Sequence, residues 1–152
     1  MWGDGMKDKV VIDWDEEQKK IEEEYKKKLA DLKKARQENE IVDKVLTRGI
    51  LSTLVLAIIE DEPSNGNEIS IKVSEITGGA WQPSTGGIYP ILKKHEKAGY
   101  IKGEWDDPEK RTKKIHTITE KGKEEVKMQK SLLTTSLRKT VSMLNDILKV
   151  IQ

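Results

Sequence analysis

The chain has no cysteine and no phenylalanine among its 152 residues. The missing cysteine excludes disulfides, thiolate metal sites and cysteine nucleophiles together, and it fits a reducing cytoplasm. Aromatic residues make up only 5% against 36% charged, so a lone protomer has a thin core and gains by burying surface against a partner. Histidine is scarce as well: His95 and His116 stand apart, with no HExxH or other zinc spacing around them, so neither reads as a metal ligand or a general base. The glycine pairs Gly78-Gly79 and Gly86-Gly87 lack the Gly-Lys-Ser/Thr ending of a phosphate loop and the buried strand that precedes a dinucleotide fingerprint. No cofactor, metal or enzymatic activity is expected. Long apolar runs are absent too. The longest, residues 50–59, is interrupted by Ser52 and Thr53 and falls short of the roughly 18 to 20 residues of a membrane span. The first residues show no signal-peptide pattern.

Charge is present in quantity but nearly balanced, at a net of +1. Its distribution is uneven. Residues 1–40 hold 10 Lys/Arg against 12 Asp/Glu, and the rest of the chain holds 18 against 15, so the positive potential lies outside the N-terminal arm.

From Asp13 to about Glu40 the sequence is rich in Glu, Lys, Gln, Leu and Ala without Gly or Pro, which predicts a long helix capped by Asp13 or Asp15. Ile21, Tyr25, Leu29 and Leu32 form a narrow apolar stripe along it. Residues 41–61 read as a second helix, whose apolar set (Val45, Leu46, Ile50, Leu51, Leu54, Val55, Ile58, Ile59) is broad enough for burial on more than one side. A Pro-Ser-Asn-Gly turn at 63–66 follows, then a third helix over 67–76 ended by Gly78-Gly79. Ser84 reads as the cap of a fourth helix over 85–98, with Ile88, Ile91, Leu92 and His95 turned inward. Pro90 lies too deep in that helix for a first-turn proline, which predicts an irregular first turn or a later start. Two alternating runs, 100–105 and 114–119, flank a charged segment and read as an antiparallel hairpin. A last helix carries Val126, Lys130, Leu133, Leu137, Thr140, Leu144, Ile147 and Ile151 at spacings of four and three.

The expected fold is therefore mainly α with a small β-hairpin: a winged helix-turn-helix with long N- and C-terminal helices. The expected division is an N-terminal helical extension over 1–40, a DNA-binding domain over 41–120 and a dimerisation helix over 121–152.

Particular residues sharpen this. Arg48-Gly49-Ile50-Leu51, Gly66 before a helix, Gly79-Ala80-Trp81-Gln82-Pro83-Ser84, Gly87-Ile88-Tyr89-Pro90-Ile91-Leu92, Glu96-Lys97-Ala98-Gly99-Tyr100-Ile101 and Thr117-Ile118-Thr119-Glu120-Lys121-Gly122 occur in this order over about half the chain. The set resembles the PadR family of transcriptional regulators, in its short form with a single C-terminal helix. The resemblance implies a cytoplasmic homodimer that binds a pseudo-palindromic DNA operator and represses transcription until a small aromatic or drug-like molecule, or another signal, relaxes it. The final helix has no Trp or Tyr to stack on such an effector.

The residues have the chemistry for that role. Ser84, Thr85, Gly86 and Gly87 at a helix start present free N–H groups and let a phosphate backbone come close. Tyr89 offers a hydroxyl to phosphate or a ring to a base, Pro90 suits a thymine methyl, and Lys93 and Lys94 reach phosphates or guanine edges. Lys110, Arg111, Lys113 and Lys114 on the hairpin suit the adjacent minor groove, partly offset by Asp106, Asp107 and Glu109. Val126, Leu133, Leu137, Leu144, Ile147 and Ile151 are the expected dimer contacts. The competing reading is a winged-helix protein-interaction adaptor without DNA affinity.

Overall fold

The computed structural model describes residues 11–152. Residues 1–10 of the expected extension, and the side chains of Val45 and Arg48, lie outside the described residues. Contacts divide the chain into two compact units, Met1–Glu38 and Asn39–Gln152.

Helix α1 runs over Trp14–Leu46. Asp13 is its cap: the carboxylate accepts from the backbone N–H of Asp15 and Glu16, at 3.2 Å each, and the acidic first turn suits the positive end of the helix dipole. Ile21, Tyr25, Leu29 and Leu32 are all exposed along it.

The expected second helix begins later than its apolar pattern implies. A π-helical turn occupies Thr47–Leu51 and helix α2 covers Ser52–Asp61. The apolar spacing runs through the turn without a break, so periodicity alone could not find it; Gly49 in its middle is the one local hint.

Helix α3 spans Gly66–Ile76. Asn65 caps it reciprocally with Glu68, its Oδ1 accepting from Glu68 N at 2.9 Å and its Nδ2 donating to Glu68 Oε1 at 2.6 Å. Gly78 and Gly79 end it at φ +60° and +82°, a region where a side chain costs about 1–2 kcal/mol.

Helix α4 covers Thr85–Lys97, strands β1 and β2 cover Ile101–Trp105 and Lys114–Ile118, and helix α5 covers Glu120–Ile151. The strands pair antiparallel from Ile101↔Ile118 to Trp105↔Lys114. On the other edge of β2, Ser64 makes a single antiparallel bridge to His116, with bonds of 3.1 and 2.9 Å. That rung stitches the α2–α3 turn to the hairpin.

One core joins these elements: Leu51, Val55, Leu56 and Ile59, then Ile69 and Val73 of α3, Trp81, Ile88 and Leu92 of α4, Ile101 of β1 and Val126 of α5. Each such side chain contributes about 1.5–3 kcal/mol by leaving water. Val126, an expected dimer contact, is instead fully buried in this core, because the first turns of α5 pack on the protomer's own domain. Thr53 donates to Gln129 at 2.9 Å and Lys130 pairs with Glu60 at 2.7 Å, fastening α5 to α2. From residue 138 onward every residue of α5 is exposed.

Candidate nucleic-acid interface

Helix α4 starts at Thr85, as the Ser84 cap predicts and against the expectation drawn from Pro90. Ser84 Oγ accepts from Gly87 N at 3.2 Å, and Pro90 sits inside the regular helix. The ring of a helical proline presses on the carbonyl four residues back. Here that residue is Gly86, with Gly87 next to it, so the backbone there has room to yield. Neither glycine is required by packing: a Cβ at Gly86 or Gly87 meets only Ser84 Oγ, at 3.9 and 3.5 Å. Each glycine costs the helix about 1 kcal/mol relative to alanine, a cost that close approach of another molecule's backbone would account for.

Two faces of α4 separate cleanly. Ile88, Leu92 and His95 are buried, while Gly86, Tyr89, Pro90, Lys93, Lys94 and Lys97 are exposed. Tyr89 both packs and projects: its ring lies against Gly66, where a Cβ would sit 3.3 Å from Tyr89 Cε1, yet the side chain stays 58% exposed.

The wing tip is built by its acids. Asp106 Oδ1 accepts from the backbone N–H of Asp107 and Lys113 at 2.8 and 3.2 Å, and Asp107 Oδ1 accepts from that of Glu109 at 2.9 Å. Asp106 and Asp107 therefore do more than offset positive charge; they fold the turn that displays it. Lys110, Arg111 and Lys113 are exposed on that turn, and Arg111 holds a left-handed φ of +49°.

Lys114, expected beside them at the tip, is instead the first residue of β2 and half-buried. Its Nζ lies 3.0 Å from Glu96 Oε1 and 5.8 Å from the centre of the Trp105 ring. Between α4 and the wing runs a groove of about 730 Å³ lined by Asn67, Tyr89, Lys93, Trp105, Lys113 and Lys114, among others. The sequence reading missed Glu96, Gly103, Trp105 and His116 as parts of this face. A glycine inside a five-residue strand was the available signal, since it marks close approach of another group.

Both histidines are buried. His95 Nε2 donates to Ser52 O at 3.0 Å, and burial lowers its pKa, with the Ser52 bond acting in the opposite direction. Burial also lowers the pKa of His116, against the pull of Glu96. Both rings are therefore neutral at neutral pH. Among the described residues no cluster of His, Asp and Glu is arranged to hold a metal, and no helix is long and apolar enough to cross a membrane.

Residues 55–128 match the model of the transcriptional regulator PadR-like family. No curated protein matches the chain. Among solved structures, a transcriptional regulator from Clostridium thermocellum is 25% identical over 62% of this chain and 89% of its own, with a TM-score of 0.54. A PadR-like transcriptional regulator from Bacillus cereus is 28% identical over 63% of this chain and 95% of its own, with a TM-score of 0.50. A PadR family regulator from Eggerthella lenta, 21% identical over 69% of this chain and 93% of its own at a TM-score of 0.56, shares the fold. This is a family of transcriptional regulators rather than of enzymes. Through residues 55–128, which carry α3, α4 and the wing, the chain is similar to the PadR-like family of transcriptional regulators.

Proposed function

We propose that the chain is a sequence-specific regulator that binds double-stranded DNA as a homodimer in the cytoplasm, with residues 41–120 as the DNA-binding domain and 121–152 as the dimerisation helix. The observation that carries the reading is the exposed start of α4. Past the Ser84 cap, which takes up the Gly87 N–H, the free N–H groups of Thr85 and Gly86 stand beside two glycines that packing does not require, near the exposed cations Lys110, Arg111 and Lys113. Tyr89, Pro90, Lys93 and Lys94 on the open face of α4 are assigned to the major groove, and the wing to the neighbouring minor groove.

Dimerisation is supported by the outer half of α5. Val141, Leu144, Ile147, Leu148 and Ile151 are all exposed, a stripe that a second copy would cover. Two copies would read half-sites of a pseudo-palindrome about 34–36 Å apart. We assign repression as the mode of action, with release by a small apolar effector. In support, a pocket of about 190 Å³ lies between α2 and α5, lined by Ile50, Leu54, Ala57, Leu133 and Leu137 with Lys130 at its edge; space of this order holds a single aromatic ring. Genome-wide capture of bound DNA tests the reading and supplies the operator. The expected result is enrichment of a short inverted repeat upstream of a few genes; no enrichment over input contradicts it and favours a protein-interaction adaptor.

A further inference from the structure

Under the wing, three ionisable side chains are pressed onto a bare strand backbone. Gly103 of β1 stands opposite His116 of β2. A Cβ at Gly103 would collide with the Glu96 carboxylate and the Lys114 stem, and would lie 3.1 Å from His116 Cε1. Glycine here is what admits the carboxylate of Glu96, from α4, into the hairpin. Glu96 Oε1 then lies 3.0 Å from Lys114 Nζ and 3.2 Å from His116 Nδ1, and Oε2 accepts from Lys114 Nζ at 3.2 Å.

One carboxylate thus faces two nitrogens that can carry positive charge. Only Lys114 does so at neutral pH. His116 Nδ1 is buried and lies off the line of a hydrogen bond to Glu96 despite its closeness. The groups around the ring come from every neighbouring element: Glu96 from α4, Lys114 from β2, Gly103 from β1 and the Ser64 main chain from the α2–α3 turn. Glu68, Lys93, Arg111 and Lys113 line the same groove.

We infer that Glu96 is a positioning residue that docks the wing onto α4, and that its exchange of partner from Lys114 to a protonated His116 releases Lys114 to a DNA phosphate, making duplex binding proton-linked. The inference rests on the DNA-binding reading above. The step takes up one proton from solvent. With both ring nitrogens then carrying hydrogen, the imidazolium forms an ion pair with Glu96, its Nδ1 3.2 Å from Oε1, and a small turn of the ring brings Nδ1–H into line to donate. The displaced ammonium of Lys114, already half-exposed at the groove, turns outward. Phosphates nearby and the departure of Lys114 both favour the protonated ring, so bound DNA raises the His116 pKa.

The test is the affinity of the full chain for a labelled mixed-sequence duplex, measured across salt concentrations and from about pH 7.5 to about pH 5.5. Affinity is expected to rise as pH falls, by up to about tenfold per pH unit for one linked proton. His116→Gln flattens the dependence, and His95→Gln keeps it. Glu96→Gln leaves Lys114 free at all pH values, so it binds tighter at neutral pH with a weaker pH slope. Titration of the His116 ring by NMR adds an independent readout: Glu96→Gln lowers its pKa, Lys114→Gln raises it, and duplex DNA raises it in the wild type. Salt-sensitive binding whose pH slope survives His116→Gln overturns the inference and leaves the DNA-binding reading intact. So does a His116 pKa that duplex DNA does not move, which decides the matter if His116→Gln fails to fold. Absence of salt-sensitive binding at every pH overturns both.

Discussion

The indole N–H of Trp81, buried against the core, donates to Asp43 Oδ1 at 3.0 Å, and the same oxygen accepts from Thr47 Oγ1 at 3.1 Å. The last turns of α1 and the π-helical turn after it are thereby tied to the segment that leads into α4. Asp43→Ala leaves the indole N–H unpaired in a dry site and is expected to cost about 1–3 kcal/mol. Asp43→Asn keeps an acceptor and should cost less. Urea denaturation of both variants checks this.

Gly122, in the first turn of α5, has no room for a side chain: a Cβ there would run into the Tyr100 carbonyl and lie 2.8 Å from Ile118 Cγ1. Propensity favours alanine in a helix by about 1 kcal/mol. The backbone obstacle outweighs that gain. Gly122→Ala is expected to lower stability by about 1–3 kcal/mol, as overpacking does, and a lower thermal midpoint would register it. An unchanged or higher midpoint would show that α5 can shift away from the hairpin.

Acid should weaken the fold. His95 and His116 both have pKa values pushed by burial below their ordinary 6.5, so below that pH the unfolded chain binds protons that the folded chain resists. Their contribution is fully present above about pH 6.5 and is lost as pH falls through the lowered folded values. Urea midpoints at about pH 7.5 and about pH 5.5 should differ in the wild type, and the His95→Gln, His116→Gln double variant should lose that part of the difference.

Much of this architecture is legible in the sequence because local chemistry and packing agree. Ser84 and the Gly78-Gly79 stop mark helix ends where they fall, and the alternation on either side of the charged tip marks the hairpin. What escapes depends on contacts distant in sequence. The π-helical turn leaves no mark in apolar spacing. The buried position of Val126 follows from how α5 docks, although its place in the stripe matches that of Leu144. Lys114 reads as one more wing cation until the register sets it beside Glu96. The acids at the wing tip look like diluted charge until their hydrogen bonds show them making the turn.

The outer half of α5 gives a prediction that leaves the monomer's fold alone. Leu144 and Ile147 are 46% and 51% exposed, so Leu144→Glu and Ile147→Glu cost the protomer little but place charge in the proposed interface. Sedimentation equilibrium should give twice the protomer mass for the wild type and the single mass for the double variant. A wild-type monomer would contradict the dimer.

The central claim is that α4 and the wing bind duplex DNA through its phosphates, and the salt dependence of that binding tests it most directly. Log affinity should fall linearly with log salt, and replacing Lys110, Arg111 and Lys113 with alanine should flatten the slope by about 0.9 for each phosphate no longer neutralised. Binding that is absent, or a slope that the three substitutions leave unchanged, would contradict the account.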